Sequence, residues 1–250
     1  MNTRQDLKAS GGTSIAGGEY ASVRVSGALK VSGTLDCEEL HASGAVKVSD
    51  NLRCSGRIAA SGAVKVEGSV SSGSIGSSGA LVAGGDVTVT GELHSSGSLT
   101  SGTKLSADVL KTSGVCRCGG DIHVRELATS GQLAVEGGVE AERFRSSGKL
   151  DIHELLNAEE IDISISAACA VGDIGGSRIT VRKGWFGFAF GNPRLTVESI
   201  EGDTVELEYT KAATVRGRTV RIGAGCEIGR VEYSETISVE GGAVGEQVKL

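Results

Sequence analysis

The residues that could do chemistry are few, and their spacing works against a catalytic site. Four histidines, His41, His94, His123 and His153, are read at different positions of the pattern described below and do not converge. Carboxylates recur in one zone of that pattern, at Glu38, Glu39, Asp108, Glu126, Glu142, Glu159 and Glu160. An acid–base pair needs one of them desolvated in a pocket, and the stripe reads instead as a solvated edge. Cys37 and Cys54 occupy one slot of successive repeats, and Cys116-x-Cys118 fills an apolar pair. A disulfide or a metal site is the chemistry such pairs could do. No histidine or second Cys-x-x-Cys completes a tetrahedral set, so the six cysteines read as small buried hydrophobes in a reduced protein. Gly-rich triplets lack the strand–loop–helix setting that cradles phosphate. No catalytic, cofactor-binding or metal-ligating residue is therefore expected.

The elements that hold these residues follow from a repeat. Ser-Gly recurs at Ser26, Ser43, Ser61, Ser78, Ser96, Ser113, Ser130 and Ser147, at steps of 17 or 18 residues. A period this short marks a solenoid, in which each repeat stacks on its neighbours. Within a repeat the apolar residues form three apolar-x-apolar pairs, such as Leu29/Val31, Leu35/Cys37 and Leu40/Ala42, or Leu133/Val135, Val139/Ala141 and Phe144/Ser146. Each pair has the period of a strand with one buried face. The chain is thus expected to be all-β, a single-stranded parallel β-helix of triangular coils about 4.8 Å apart. Ser-Gly marks a corner, with turn chemistry from the serine and positive φ expected at the glycine. A second glycine precedes the second pair, as at Gly33, Gly68 and Gly102. In the two longer repeats the extra residue falls at Ser55-Gly56-Arg57 and Thr90-Gly91-Glu92, the place for a bulge. Lys30, Lys47 and Lys65 stack on one outer face.

Composition bounds the function. The 250 residues carry a net charge of −6, which argues against nucleic acid as a partner. The eight aromatics fit a core too thin for rings. No apolar run approaches the roughly 20 residues of a membrane-spanning helix, and residues 1–9 are polar without the apolar centre of a signal peptide; a cytoplasmic location is expected. Residues 1–15 read as a disordered polar tail and 16–250 as the β-helix, of about twelve or thirteen coils, with a fraying end at 240–250. The stack is interrupted at 182–194, where Trp185, Phe186, Phe188 and Phe190 lie between Arg182, Lys183 and Arg194. Either the rings fold back over one side of the rod as a satellite cluster, or the patch is an interaction site, where aromatics beside cations suit an anionic membrane surface and the alternative is an envelope protein or a lateral filament contact.

The C-terminal third carries a resemblance. Gly172-Asp173-Ile174-Gly175-Gly176, Ile200-Glu201-Gly202-Asp203, Glu206-Leu207-Glu208-Tyr209-Thr210-Lys211-Ala212 and Gly225-Cys226-Glu227-Ile228-Gly229, with Gly18-Glu19-Tyr20 and Val23-Arg24-Val25-Ser26-Gly27 near the start, resemble the bactofilin-like polymer-forming cytoskeletal proteins of Firmicutes. The resemblance implies a right-handed β-helix that assembles into filaments without nucleotide, as a scaffold at the inner face of the cytoplasmic membrane. Many members begin with a short hydrophobic segment where residues 1–9 are polar, which leaves the aromatic excursion as the candidate membrane contact. A solenoid end exposes unpaired strand edges, so self-assembly is expected through end coils, at Val23, Val25, Leu29 and Val31 and at Val220, Ile222, Ile228, Ile237 and Val239. The contrasting reading is a hexapeptide-repeat acyltransferase on a left-handed β-helix. It requires a strict six-residue period and a catalytic histidine on a loop, and no histidine lies near the excursion. No cofactor and no small-molecule substrate are expected.

Overall fold

Alternating inward and outward side chains leave each segment one apolar face, and only stacking on a like segment buries it. The computed structural model describes residues 4–184 and 193–250. Among them it is 77% strand with no helix, wound as a parallel β-solenoid of about 14 turns. The chain divides into two compact units, Met1–Val124 and Arg125–Leu250.

In the first unit three ladders run from coil to coil. Leu29 pairs with Val46, Val46 with Val64, Val64 with Leu81 and Leu81 with Leu99. A second ladder joins Leu35, Leu52, Val70, Val87 and Leu105. The third joins Val23, Leu40, Ile58, Ile75, Leu93 and Leu110. All of these side chains are buried, so the core is a column of stacked aliphatic side chains. The serines of the Ser-Gly corners are exposed. The register slips between Cys37 and Leu40, opposite the bulge expected at Ser55-Gly56-Arg57, and the corner at Thr90-Gly91 widens in the same way, with both N–H groups bonded to the coil below.

The second unit keeps the three ladders but changes the step. Val139, Leu156, Ile174, Ile200, Val215 and Val231 line one ladder, and Phe144, Ile161, Ile179, Val205, Val220 and Ile237 another. Between Ile174 and Ile200 the step is 26 residues, and from Ile200 to Val215 it is 15. Thr210–Ile222 forms a coil that the apolar-pair pattern does not mark in full, because its first inward residue is Thr210, fully buried but polar. Phe144 corrects the expectation of a core without rings: it is fully buried, the largest such side chain among the described residues.

Three other expectations differ from the structure. Gln5–Ala9 is a strand, paired with 20–25, in place of the disordered tail expected over 1–15. Its Ala9 is buried and its carbonyl accepts from the Ser26 N–H at 2.9 Å, contacts that a polar composition does not reveal. Ala243–Lys249 likewise pairs with Glu227–Val239 in the stretch expected to fray. The glycines of Ser-Gly do not have positive φ; among the described glycines only Gly33, Gly225 and Gly241 do. What selects glycine at Ser-Gly is close approach. The Gly79 carbonyl accepts the Ser98 N–H of the next coil at 3.0 Å, and a Cβ on Gly97 would collide with that same oxygen. Gly44, Gly62, Gly79 and Gly114 meet the glycine carbonyl below them in the same way.

Two substitutions test this packing. Gly97→Ala is expected to destabilise by about 1–3 kcal/mol through overpacking, whereas Gly12→Ala, which meets nothing within 4 Å, stays within about 0.5 kcal/mol; urea unfolding followed by circular dichroism distinguishes them. Val139→Asp buries a charge at a position 2% exposed and is expected to lower stability by about 3 kcal/mol or more. A wild-type midpoint for that variant contradicts the inward register.

Candidate functional site

Strand edges and the base of the excursion are the two surfaces singled out above, and the structure relocates the first. A residue can offer a strand edge only where no further coil covers it. Val23, Val25, Leu29 and Val31 are each at most 3% exposed and have a coil on both sides: Val23 lies between Leu7 and Leu40, and Leu29 between Thr13 and Val46. Val220, Ile222 and Ile228 are equally buried and equally flanked. These seven are core residues, a correction of the expected end-coil set. Ile237 and Val239 differ from these seven in place: among the described residues their segment pairs on one side only, with Val220 and Ile222. Val239 is 39% exposed. The one-sided edges are Gln5–Ala9 and 12–16 in the first unit, carrying Leu7 and Ile15, and 236–239 with Ala243–Lys249 in the second, carrying Val244 and Val248. All four of those apolar side chains are half-buried. The sequence pattern could have found them, since Leu7/Ala9 and Ile15 repeat the apolar spacing on a weaker background.

At the excursion, Trp185, Phe186, Phe188 and Phe190 lie outside the described residues. Its described base is an ordered polar collar. The Lys183 N–H donates to Glu208 Oε2 at 3.0 Å, its Nζ donates to Tyr209 Oη at 3.4 Å, and Nζ stands 4.8 Å from the Tyr209 ring centre, within cation–π range. Tyr209 is the one described non-glycine residue with positive φ, 48°, a conformation sustained only where the surroundings impose it. Its N–H donates to the Ala224 carbonyl and its carbonyl accepts from Leu195. Arg194 donates to Glu227 Oε1 at 2.8 Å, which raises the pKa of the guanidinium and holds the Glu227 carboxyl below its usual range. Lys183 and Arg194 are thus engaged within the chain, while Arg182 is exposed on the outer face.

The remaining ionisable groups form ladders. Lys30, Lys47 and Lys65 stand in register as expected. Glu67 lies 3.2 Å from Lys65 and 3.4 Å from Lys47, and the Lys65 and then the Lys47 ammonium hold its carboxyl low. The acidic stripe of the second unit is interleaved with arginine: Arg143 lies 3.3 Å from Glu126, and Arg178 3.3 Å from Glu160. His41 and His94 share one ladder column, a correction of the reading that placed all four histidines differently, but Ala59 and Gly76 separate them. The described residues contain no cluster of three or more His, Cys, Asp or Glu that could hold a metal ion.

Near the C-terminal edge, Glu232 is only 8% exposed and is held by two arginines. Arg216 Nη2 lies 2.7 Å from Oε2 and Arg230 Nε 2.8 Å from Oε1. Arg216 first, then Arg230, hold its carboxyl low, and Arg221 does the same for Glu240. Arg216 and Glu232 face each other in register, as do Arg230 and Glu246, so these are cross-strand pairs between coils. A carboxyl with depressed pKa contributes stability above its ordinary value of 4.5, and that contribution is lost as pH falls through the folded-state value. The melting temperature is therefore expected to fall as pH drops below about 4.5. Glu232→Gln should flatten that dependence while lowering the melting temperature at pH 7. An unchanged profile in the variant would show that Glu232 is not a contributor.

Comparisons with known proteins cover part of the chain. The uncharacterized protein YhbF of Bacillus subtilis (strain 168) is 46% identical over 80 residues, 32% of this chain and 34% of the relative. The uncharacterized protein YhbE of the same strain is 46% identical over 88 residues, 33% of this chain and 37% of the relative. The chain thus spans about a third of the length of the curated relatives it matches. No family model matches, and no solved structure matches.

Proposed function

We infer that this chain is a structural protomer: a β-helical subunit of a bactofilin-like cytoskeletal polymer that assembles without nucleotide. The observation that carries this reading is the pair of one-sided edges, 5–9 with 12–16 and 236–239 with 243–249, each with half-buried or exposed apolar side chains. An open edge is a template for another strand, and the partner of matching width and period is a second copy. On this reading the coils are triangular and wind to the right, as in the proteins the sequence resembles. The chain turns over no substrate, binds no nucleic acid and no cofactor, and works as a scaffold on the cytoplasmic side of the membrane, in contact with the membrane surface or with envelope proteins. The ladders of opposite charge support it, since arginine and glutamate leave the outer surface balanced for stacking rather than focused on a ligand.

Negative-stain microscopy of the purified full chain without nucleotide is expected to show filaments. Ile15→Asp and Val239→Asp place a charge at one edge each without entering the buried column. Both are expected to give short soluble species that keep their β circular dichroism. Filaments that persist with both substitutions combined would move the contact to a lateral face.

A further inference from the structure

Of the six buried cysteines, two stand apart. Cys37 and Cys54 occupy the same inward position of adjacent coils, directly opposed in parallel register. Neighbouring parallel strands lie about 4.8 Å apart, inside the Cα spacing of roughly 4.4–6.8 Å that a disulfide spans. The register slip at Ser55-Gly56 follows immediately and opens the corner beside them. A cavity of about 310 Å³ is lined there by both cysteines, Ser72, Asp36, Arg4 and Arg53, at the small end of small-molecule sites. The charges around it are mutually offset: Arg53 lies 3.8 Å from Asp36, and Arg4 3.7 Å from Glu38. By contrast, Cys116 and Cys118 are two apart on one strand, and Cys169 and Cys226 have no cysteine opposite them among the described residues.

We propose that Cys37 and Cys54 form a dithiol site that reacts with low-molecular-weight disulfides and closes a reversible bond between adjacent coils. Cys54 is the attacking group. Its thiol donates to the Glu38 carbonyl at 3.3 Å, and the Cys37 thiol facing it, followed by the Gly56 and Leu40 backbone and Ser72, favours its thiolate and brings the thiol down to about 7 against the opposing effect of burial. The same pairing, with burial, pushes the Cys37 thiol up. Burial raises the other four, Cys116 to about 12. In the first step the Cys54 thiolate attacks one sulfur of the small disulfide, forming a mixed disulfide and releasing one thiolate. Cys37 then gives its proton to the thiolate released in the first step and attacks the Cys54 sulfur, forming the Cys37–Cys54 bond and expelling the second thiolate, which takes a proton from solvent. Two protein thiols are oxidised and one small disulfide is reduced to two thiols. The thiolate is the reacting species in both steps.

The test uses the full chain with oxidised glutathione, non-reducing digestion and mass spectrometry. Wild type is expected to yield a peptide linked through Cys37 and Cys54, with Cys116, Cys118, Cys169 and Cys226 unmodified. Cys37→Ser should stop at a glutathione adduct on Cys54, and Cys54→Ser should give neither product. The rate of the first adduct in wild type should rise through pH 7, a readout that needs no variant to fold. Closing the bond should raise the melting temperature by several degrees, reversed by dithiothreitol. No cross-linked peptide in wild type, adducts on the other four cysteines as fast as on Cys54, or a rate that rises only toward pH 9 would each overturn the proposal.

Discussion

Every coil must present its backbone to the next at hydrogen-bonding distance, and the rest of the structure follows from that requirement. At the Ser-Gly corner the glycine carbonyl turns toward the coil above and accepts its N–H, as Gly79 does from Ser98. A side chain on the next glycine would occupy the space of that carbonyl. The stacking repeat is therefore set by backbone contact, and the side chains adapt to it. Inward residues stack on their own kind, Leu29 on Val46 and Val46 on Val64, because a parallel in-register sheet offers each side chain its equivalent in the next coil.

The same constraint governs charge. In-register stacking brings like charges together wherever a residue type repeats, as with Lys30, Lys47 and Lys65. The first unit answers this with Glu67 between two lysines. The second unit instead alternates sign from coil to coil, as with Arg216 against Glu232 and Arg230 against Glu246. Exposed pairs of this kind contribute little singly. Their regular placement keeps a one-dimensional stack free of accumulated repulsion. The collar at Lys183, Glu208 and Tyr209 is the place where the repeat is broken and re-sealed. The Glu208 N–H donates to the Val181 carbonyl at 2.8 Å, so backbone pairing between coils is kept up to Val181.

The period, the three ladders and the identity of nearly every buried residue from Leu29 to Val231 are legible in the amino-acid order alone. Apolar pairs and Ser-Gly corners recur because each coil solves the same local problem. Both bulges are legible too, since a residue added to a fixed coil, with a glycine at its centre, fits only where the backbone widens. The remainder depends on contacts between coils. Gln5–Ala9 reads as polar tail because only pairing with residues 20–25 gives it a reason to be extended. The coil at Thr210 is hidden because an inward hydroxyl breaks the apolar code, although the stack accommodates it. Val23 reads as a terminus of the pattern but is interior, because the segment that covers it through Leu7 is weakly patterned, and Val220 is interior because Ile237 pairs over it. The arginine–glutamate ladders and the Cys37–Cys54 pair depend on residues 16 to 18 apart meeting across one strand spacing. That juxtaposition exists only once the register between coils is set.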